Sequence, residues 1–226
     1  MKGKLIIIEG TDGSGKQTQS ELLYENLKKE YKVKKISFPN YESNASYPVK
    51  MYLAGEFGKK EDISVYASSA LFSVDRYASF KKDWEEYYNN GGIIICDRYT
   101  ISNVIHQANR IYDEEEFKKY NEWLIDLEWN KFGLPSPDLV IFLDMPYEYS
   151  NKLIKLRLNK ITGQEQKDIL EADENQIIRA YNTAKKVVAM YDAKVINCIE
   201  NNEIRNIEDI QEEMLSLAKE ILWYKY

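Results

Sequence analysis

Short runs of apolar, β-branched residues alternate along this chain with longer stretches whose apolar positions recur every three or four residues. The first pattern predicts strands and the second amphipathic helices. The runs "KLIIIE" (4–9), "KVKKISF" (32–38), "GIIIC" (92–96), "DLVIFLD" (138–144) and "AKVIN" (193–197) are the strands. The third and fourth are apolar throughout, as strands covered on both faces should be. Helical patterns fill the gaps at 16–30, 64–89, 114–131, 147–159, 171–191 and 206–223. The first carries Leu22, Leu23 and Leu27 on one face, and the second stops at Asn90-Gly91-Gly92. The alternation predicts an α/β fold with a five-stranded parallel sheet flanked by helices.

Two segments escape the pattern. Residues 39–62 carry Pro39, Pro48, Gly55 and Gly58, and residues 160–170 are polar, contain Gly163 and interrupt two helices. Long polar loops that follow strands in an α/β protein read better as functional than as decoration. No linker rich in Pro, Gly or Ser divides the chain and no repeat recurs in it. The acidic run Asp113–Glu116 reads as a solvated helix start, where carboxylates favour the dipole.

Composition narrows the chemistry. The 226 residues carry a formal net charge of -6, which argues against a duplex nucleic-acid partner. An anionic substrate still fits if positive charge is concentrated in a cleft. His106 is the single histidine, which excludes a multi-histidine metal centre. Cys96 and Cys198 form no C-x-x-C pair and read as buried, reduced thiols. No apolar run approaches the roughly 20 residues that cross a bilayer. The N-terminal run, closed by Glu9, is too short for a signal-peptide core. A cytoplasmic protein without membrane or nucleic-acid partners is the expectation.

The stretch "GTDGSGKQT" (10–18) reads as a phosphate-binding loop. Gly10, Gly15 and Lys16 satisfy G-x-x-x-x-G-K, and the stretch lies between a strand and a helix, as the motif requires. Loop amides make an anion nest and the helix start adds about half a positive charge. Gly10, Thr11, Asp12, Gly13, Ser14, Gly15, Lys16, Gln17 and Thr18 are therefore the candidate ATP cradle, with Lys16 reaching the outer phosphates. Gln17 stands where Ser or Thr normally faces Mg²⁺. Thr18 is rotated by about 100° and does not simply replace it. Mg²⁺ keeps several waters in most phosphate sites. Its duty falls to Gln17 through water, to nucleotide oxygens, or to the carboxylates Asp12 and Asp97. A switch GTPase would carry N-K-x-D, but the nearest string, "NKIT" (159–162), lacks the Asp. A small kinase fits the length.

Three further stretches, "SFPNY" (37–41), "LFSVDR" (71–76) and "CDRYTISNVIHQ" (96–107), fall at or facing the C-terminal ends of strands, where open α/β sheets bind ligands. With the phosphate loop, in this order and at this spacing, the chain resembles thymidylate kinase. The resemblance runs on through "VIFLDMP" and "AYNTA" and covers nearly the whole chain. It implies a three-layer P-loop kinase fold, one domain over 1–226 with a lid at about 158–171. It also implies γ-phosphoryl transfer from ATP to dTMP with Mg²⁺, and a homodimer. Matched residue by residue, Phe72 stacks on thymine, Arg76 bonds the base edge, and Arg98 clamps the acceptor phosphate. Asn103 lies near the base, Asp12 near the sugar 3′-hydroxyl and the metal, and Phe38, Pro39 and Tyr41 wall the pocket.

The chain departs from the family pattern at Asn40, where many members carry Arg, and at His106, where many carry Tyr or Phe beside the sugar. Gln107 can serve the same wall. The loop's variable positions, Thr11 to Ser14, hold no base, so the catalytic cation is expected from the lid: Arg157, with Lys160 and Lys167 in reserve. Lys152 and Lys155 read as a solvated face. Two alternatives stay open. One is a related P-loop kinase acting on another nucleotide or on a deoxynucleoside, and the other a nucleotide-binding protein without catalysis. Gln17 alone favours the second, while Lys16, Asp97 and Arg98 oppose it.

Overall fold

The computed structural model describes residues 2–153 and 174–223. Five parallel strands, β1 (Lys4–Glu9), β2 (Val33–Ser37), β3 (Ile93–Asp97), β4 (Leu139–Asp144) and β5 (Lys194–Asn197), form a sheet in the order β2-β3-β1-β4-β5. Each predicted strand lies within a residue of its expected bounds. The apolar runs of β1, β3 and β4 put these three strands at the buried centre of the sheet, with the more polar β2 and β5 at its edges. Every residue of β4 is buried, as are the first four of β3.

Alternate residues of β1 feed opposite sides of the sheet. Ile6 and Ile8 pack with Leu23 and Leu27 of α1 (Lys16–Leu27) and with Ile210, Met214 and Ala218 of α9 (Ile207–Trp223). Leu5 and Ile7 pack with Phe80, Trp84 and Tyr88. A further cluster joins β4 to α5 (Thr100–His106), α6 (Glu114–Ile125) and α8 (Glu174–Met190). Helices on both faces complete the three layers.

Several elements differ from the sequence expectation. The long helix at 64–89 is α3 (Val65–Ser79), a π-helical turn (Phe80–Trp84) and α4 (Glu85–Asn89). The helix at 114–131 likewise ends in a π-helical turn, Asp126–Lys131. Segment 39–62, expected to be a loop, contains α2 (Tyr47–Leu53), because Pro48 falls in its first turn, where its missing N–H costs nothing. Helix α1 stops at Leu27 rather than 30, and α5 was not anticipated. Residues 147–153 are helical (α7), and a small hairpin of β6 (Ile199–Glu200) and β7 (Glu203–Ile204) follows β5. Asp113 caps α6, its Oδ1 accepting from the Glu116 N–H at 2.8 Å. Cys96 and Cys198 are buried free thiols. No helix among the described residues is long and apolar enough to cross a membrane.

Candidate active site

The strand register places the glycine-rich loop (10–18) and the "CDRYTISNVIHQ" stretch (96–107) together. Ile8 on β1 lies opposite Asp97 on β3, so the loops after both strands leave the same edge of the sheet side by side. The backbone N–H of Arg98 donates to Ile8 O at 3.1 Å across that gap.

The loop after β1 turns sharply. Gly10 has φ +155, and a Cβ there would meet Ser14 Oγ at 2.5 Å and Leu143 O at 3.0 Å. Gly15, at φ +86, caps α1 in a left-handed conformation that a side chain would disfavour. Lys16, buried at the start of α1, folds back over the loop and donates to Thr11 O at 2.7 Å and weakly to Ser14 Oγ at 3.5 Å. Burial, reinforced by the Arg98 charge, pushes its ammonium down to about 8, against the pull of Asp12, Asp97 and Glu9. Ser14 and Thr11 are buried, whereas Gln17 and Thr18 face outward.

Arg98 is held in an uncommon backbone state, φ 67, which costs a non-glycine residue about 1–3 kcal/mol unless its surroundings impose it. They do so here. Its carbonyl accepts from Cys96 Sγ at 2.8 Å, and the next N–H, of Tyr99, donates to Glu9 Oε1 at 3.0 Å. Glu9 Oε2 also accepts from Ser102 Oγ at 2.7 Å. The buried Glu9 carboxyl is raised above its usual range by desolvation, which the Arg98 charge only partly offsets. The Arg98 guanidinium then bridges the two sides of the site: Nη2 donates to Asp12 Oδ1, and Nη1 to His106 Nε2 at 2.7 Å. Burial raises the Asp12 carboxyl, but Arg98 and Lys16 together bring it well below the ordinary aspartate range. Its side chain stays 32% exposed, so one face remains open to a ligand.

A cavity of about 150 Å³, open to solvent on one side, lies beside this bridge. Its walls bring together Phe38, Pro39, Tyr41, Phe72, Arg76, Arg98, Asn103, His106 and Gln107 with Asp12. Ser102 and Leu53 complete it, and both escaped the sequence reading. Phe72 meets Tyr52 edge to face at 6.1 Å and is 9% exposed, so it belongs to a small core cluster and to the cavity wall at once. Asn103 Nδ2 donates to Ser69 O at 3.1 Å, and Gln107 Oε1 accepts from Tyr52 OH at 3.0 Å. Arg76, matched by the resemblance to a base-edge donor, is already engaged within the protein. It is buried and doubly bonded to Glu128, at 2.9 Å from Nε and 2.5 Å from Nη2.

Three carboxylates that shape the site were missed. Glu9 closes an apolar strand directly before the phosphate loop, which is a visible signal. Asp75 adjoins Arg76 in "LFSVDR", and its Oδ2 accepts from the Asn40 N–H at 2.8 Å, tying the "FPNY" loop to α3. Glu128 lies 52 residues from Arg76 inside a polar helical stretch, and nothing local marks it.

No group of three or more His, Cys, Asp or Glu side chains among the described residues could enclose a metal ion. Asp97 Oδ1, however, is buried without a hydrogen-bond partner at the end of β3. An orphaned carboxylate oxygen beside a phosphate loop suits a cation carried mainly by nucleotide oxygens and water. Arg157, Lys160 and Lys167, and with them the whole expected lid (158–171), lie outside the described residues.

Comparison with known proteins places this architecture. A "probable thymidylate kinase" of Pyrococcus horikoshii is 32% identical over 220 residues, covering 97% of both chains. A thymidylate kinase of Plasmodium falciparum is 29% identical over 223 residues, covering 97% of this chain and 91% of its own. A solved thymidylate kinase from Candida albicans shares the fold with a TM-score of 0.70, over 97% of this chain and 92% of that one, at 22% identity. The family model described as thymidylate kinase matches residues 8–204, and the chain belongs to that family.

Proposed function

We propose that the chain transfers the γ-phosphoryl group of ATP to dTMP, giving ADP and dTDP. One observation carries the reading: the residues matched to the acceptor side line a single cavity, and Arg98 joins that cavity to the phosphate loop through Asp12. The donor phosphates lie on the loop amides of Gly10–Thr18 and on Lys16. Arg98, a planar donor fork at the cavity's inner end, takes the acceptor phosphate. Phe72 offers a face to the base and Arg76 an N–H to its edge. Asn103, His106, Gln107, Phe38, Pro39 and Tyr41 line the rest of the cavity.

Phosphoryl transfer asks the protein mainly for alignment and charge neutralisation. Asp12, paired to Arg98 and kept ionised, is placed to orient the acceptor end of that bridge. Mg²⁺, carried by the nucleotide, would be held on the protein side by Asp97 and Asp12 and would neutralise phosphate charge. Arg157, just ahead of the lid in sequence, supplies the further cation, because the loop itself contains no base other than Lys16. The lid also excludes water as a competing acceptor. A homodimer in the cytoplasm completes the reading; Val74 and Tyr77, exposed on α3, offer apolar surface for the pairing.

An acceptor panel tests it. ADP release with ATP·Mg²⁺ should require dTMP, with dUMP, dCMP, dGMP, the ribonucleotide of thymine and thymidine far poorer. Equal turnover with thymidine would point to a nucleoside kinase, in which Arg98 has no phosphate to hold.

A further inference from the structure

Glu128 is fully enclosed, at 0% exposure, and four donors satisfy its carboxylate. Ser73 Oγ at 2.6 Å and Arg76 Nη2 at 2.5 Å reach Oε1, while Arg76 Nε at 2.9 Å and Thr100 Oγ1 at 2.6 Å reach Oε2. Ser73 and Arg76 lie on α3 and Thr100 opens α5. One side chain therefore ties together two helices that wall the acceptor cavity. The π-helical turn Asp126–Lys131 makes this placement. Its wider winding turns Glu128 inward while Asp126 and Lys131 pair with each other at 2.9 Å on the surface.

The consequence for Arg76 is directional. Two of its five N–H donors are spent on Glu128 and its charge is paired inside the fold. What remains for a ligand in the cavity is its other N–H groups, held in a fixed plane and with no acceptor character. Arg98 differs, because a phosphate is recognised by charge and must be met by a cation. A neutral base is recognised by direction. A fixed, uncharged-in-sum N–H rewards a ring carbonyl and penalises an exocyclic amine, which would set donor against donor. Sites built around a buried hydrogen bond reject the wrong partner strongly, since the unmet group stays desolvated.

We propose that Glu128 is a positioning residue for base selection: by clamping Arg76 it makes the cavity choose a pyrimidine offering a carbonyl at that edge over one offering an amine. The proposal rests on the dTMP reading above. Were Glu128 only a strut between α3 and α5, its loss would lower stability and rate without altering the choice between bases.

The test is Glu128→Gln, which keeps the volume but removes the charge and turns one acceptor into a donor. With folding verified by thermal melting, kcat and KM are measured for dTMP and dCMP. The expected result is a roughly tenfold or greater rise in dTMP KM, with the larger part of the loss in KM rather than kcat. The dTMP-over-dCMP preference in kcat/KM should fall at least about 30-fold. A folded variant that keeps the wild-type preference overturns the proposal, whatever its rate. Should Glu128→Gln fail to fold, the Ser73→Ala/Thr100→Val pair removes two clamping donors and leaves the ion pair. It should shift the preference the same way by about threefold, and an unchanged preference again overturns the role. Wild-type protein that makes no dTDP overturns the underlying function, whereas wild type that makes dTDP beside a variant as selective as the wild type overturns Glu128 alone.

Discussion

Arg98 Nη1 lies 2.7 Å from His106 Nε2, and because guanidinium only donates, the imidazole is the acceptor. Burial and the neighbouring Arg98 charge push the His106 ring down to about 3, so it is neutral throughout the physiological range. On the proposed reading, in which Arg98 takes the acceptor phosphate, His106 aims that guanidinium as well as lining the cavity.

Replacing His106 with Phe removes the acceptor and keeps a ring in the wall. The dTMP KM should rise by about 5- to 20-fold, part of the roughly 10- to 160-fold that a hydrogen bond to a charged group is worth, because the lost contact acts on the ligand only through Arg98. Steady-state kinetics at saturating ATP measures it. A KM equal to wild type would mean that the contact does not orient Arg98.

The Lys16 ammonium, pushed down to about 8, makes donor binding alkali-sensitive. The ATP phosphates favour the charged form, which predominates below that value and is lost above it. ATP affinity for the free protein should be flat on the acid side. It should weaken about tenfold per pH unit on the alkaline side, until the pKa of the complex is reached. Titration calorimetry between about pH 6 and pH 10 reads this directly. Affinity constant across that range would place the Lys16 pKa elsewhere.

Arg157→Ala should lower kcat by at least about 100-fold with little change in dTMP KM, because a transition-state cation contributes to the chemical step rather than to ground-state binding. A change confined to KM would remove Arg157 from that role and turn attention to Lys160 and Lys167.

The two thiols should be inert in the folded protein. Burial raises both, Cys198 to about 12 and Cys96 well above its ordinary value. Alkylation near pH 8 should label neither natively and both after denaturation. Native labelling at Cys96 would contradict the packing of β3.

The fold was largely legible because its signals are local. The apolar central strands called for burial, and glycine and lysine spacing between a strand and a helix marks a candidate phosphate loop. Helix α2 escaped because its proline looked like loop punctuation, and the π-helical turns left no periodic trace. The cavity residues were named through motif order, but the groups that hold them were not. Glu128 reaches Arg76, Glu9 reaches Tyr99 and Ser102, and Asp75 reaches the Asn40 amide only after the chain has folded. Spacing along the sequence carries no record of such pairings.

Transfer between two bound nucleotides is read most simply in the products. With ATP, Mg²⁺ and dTMP, chromatography should recover dTDP and ADP in equal amounts, neither forming without the other substrate. ADP accumulating without dTDP, or no product from either, would contradict the account.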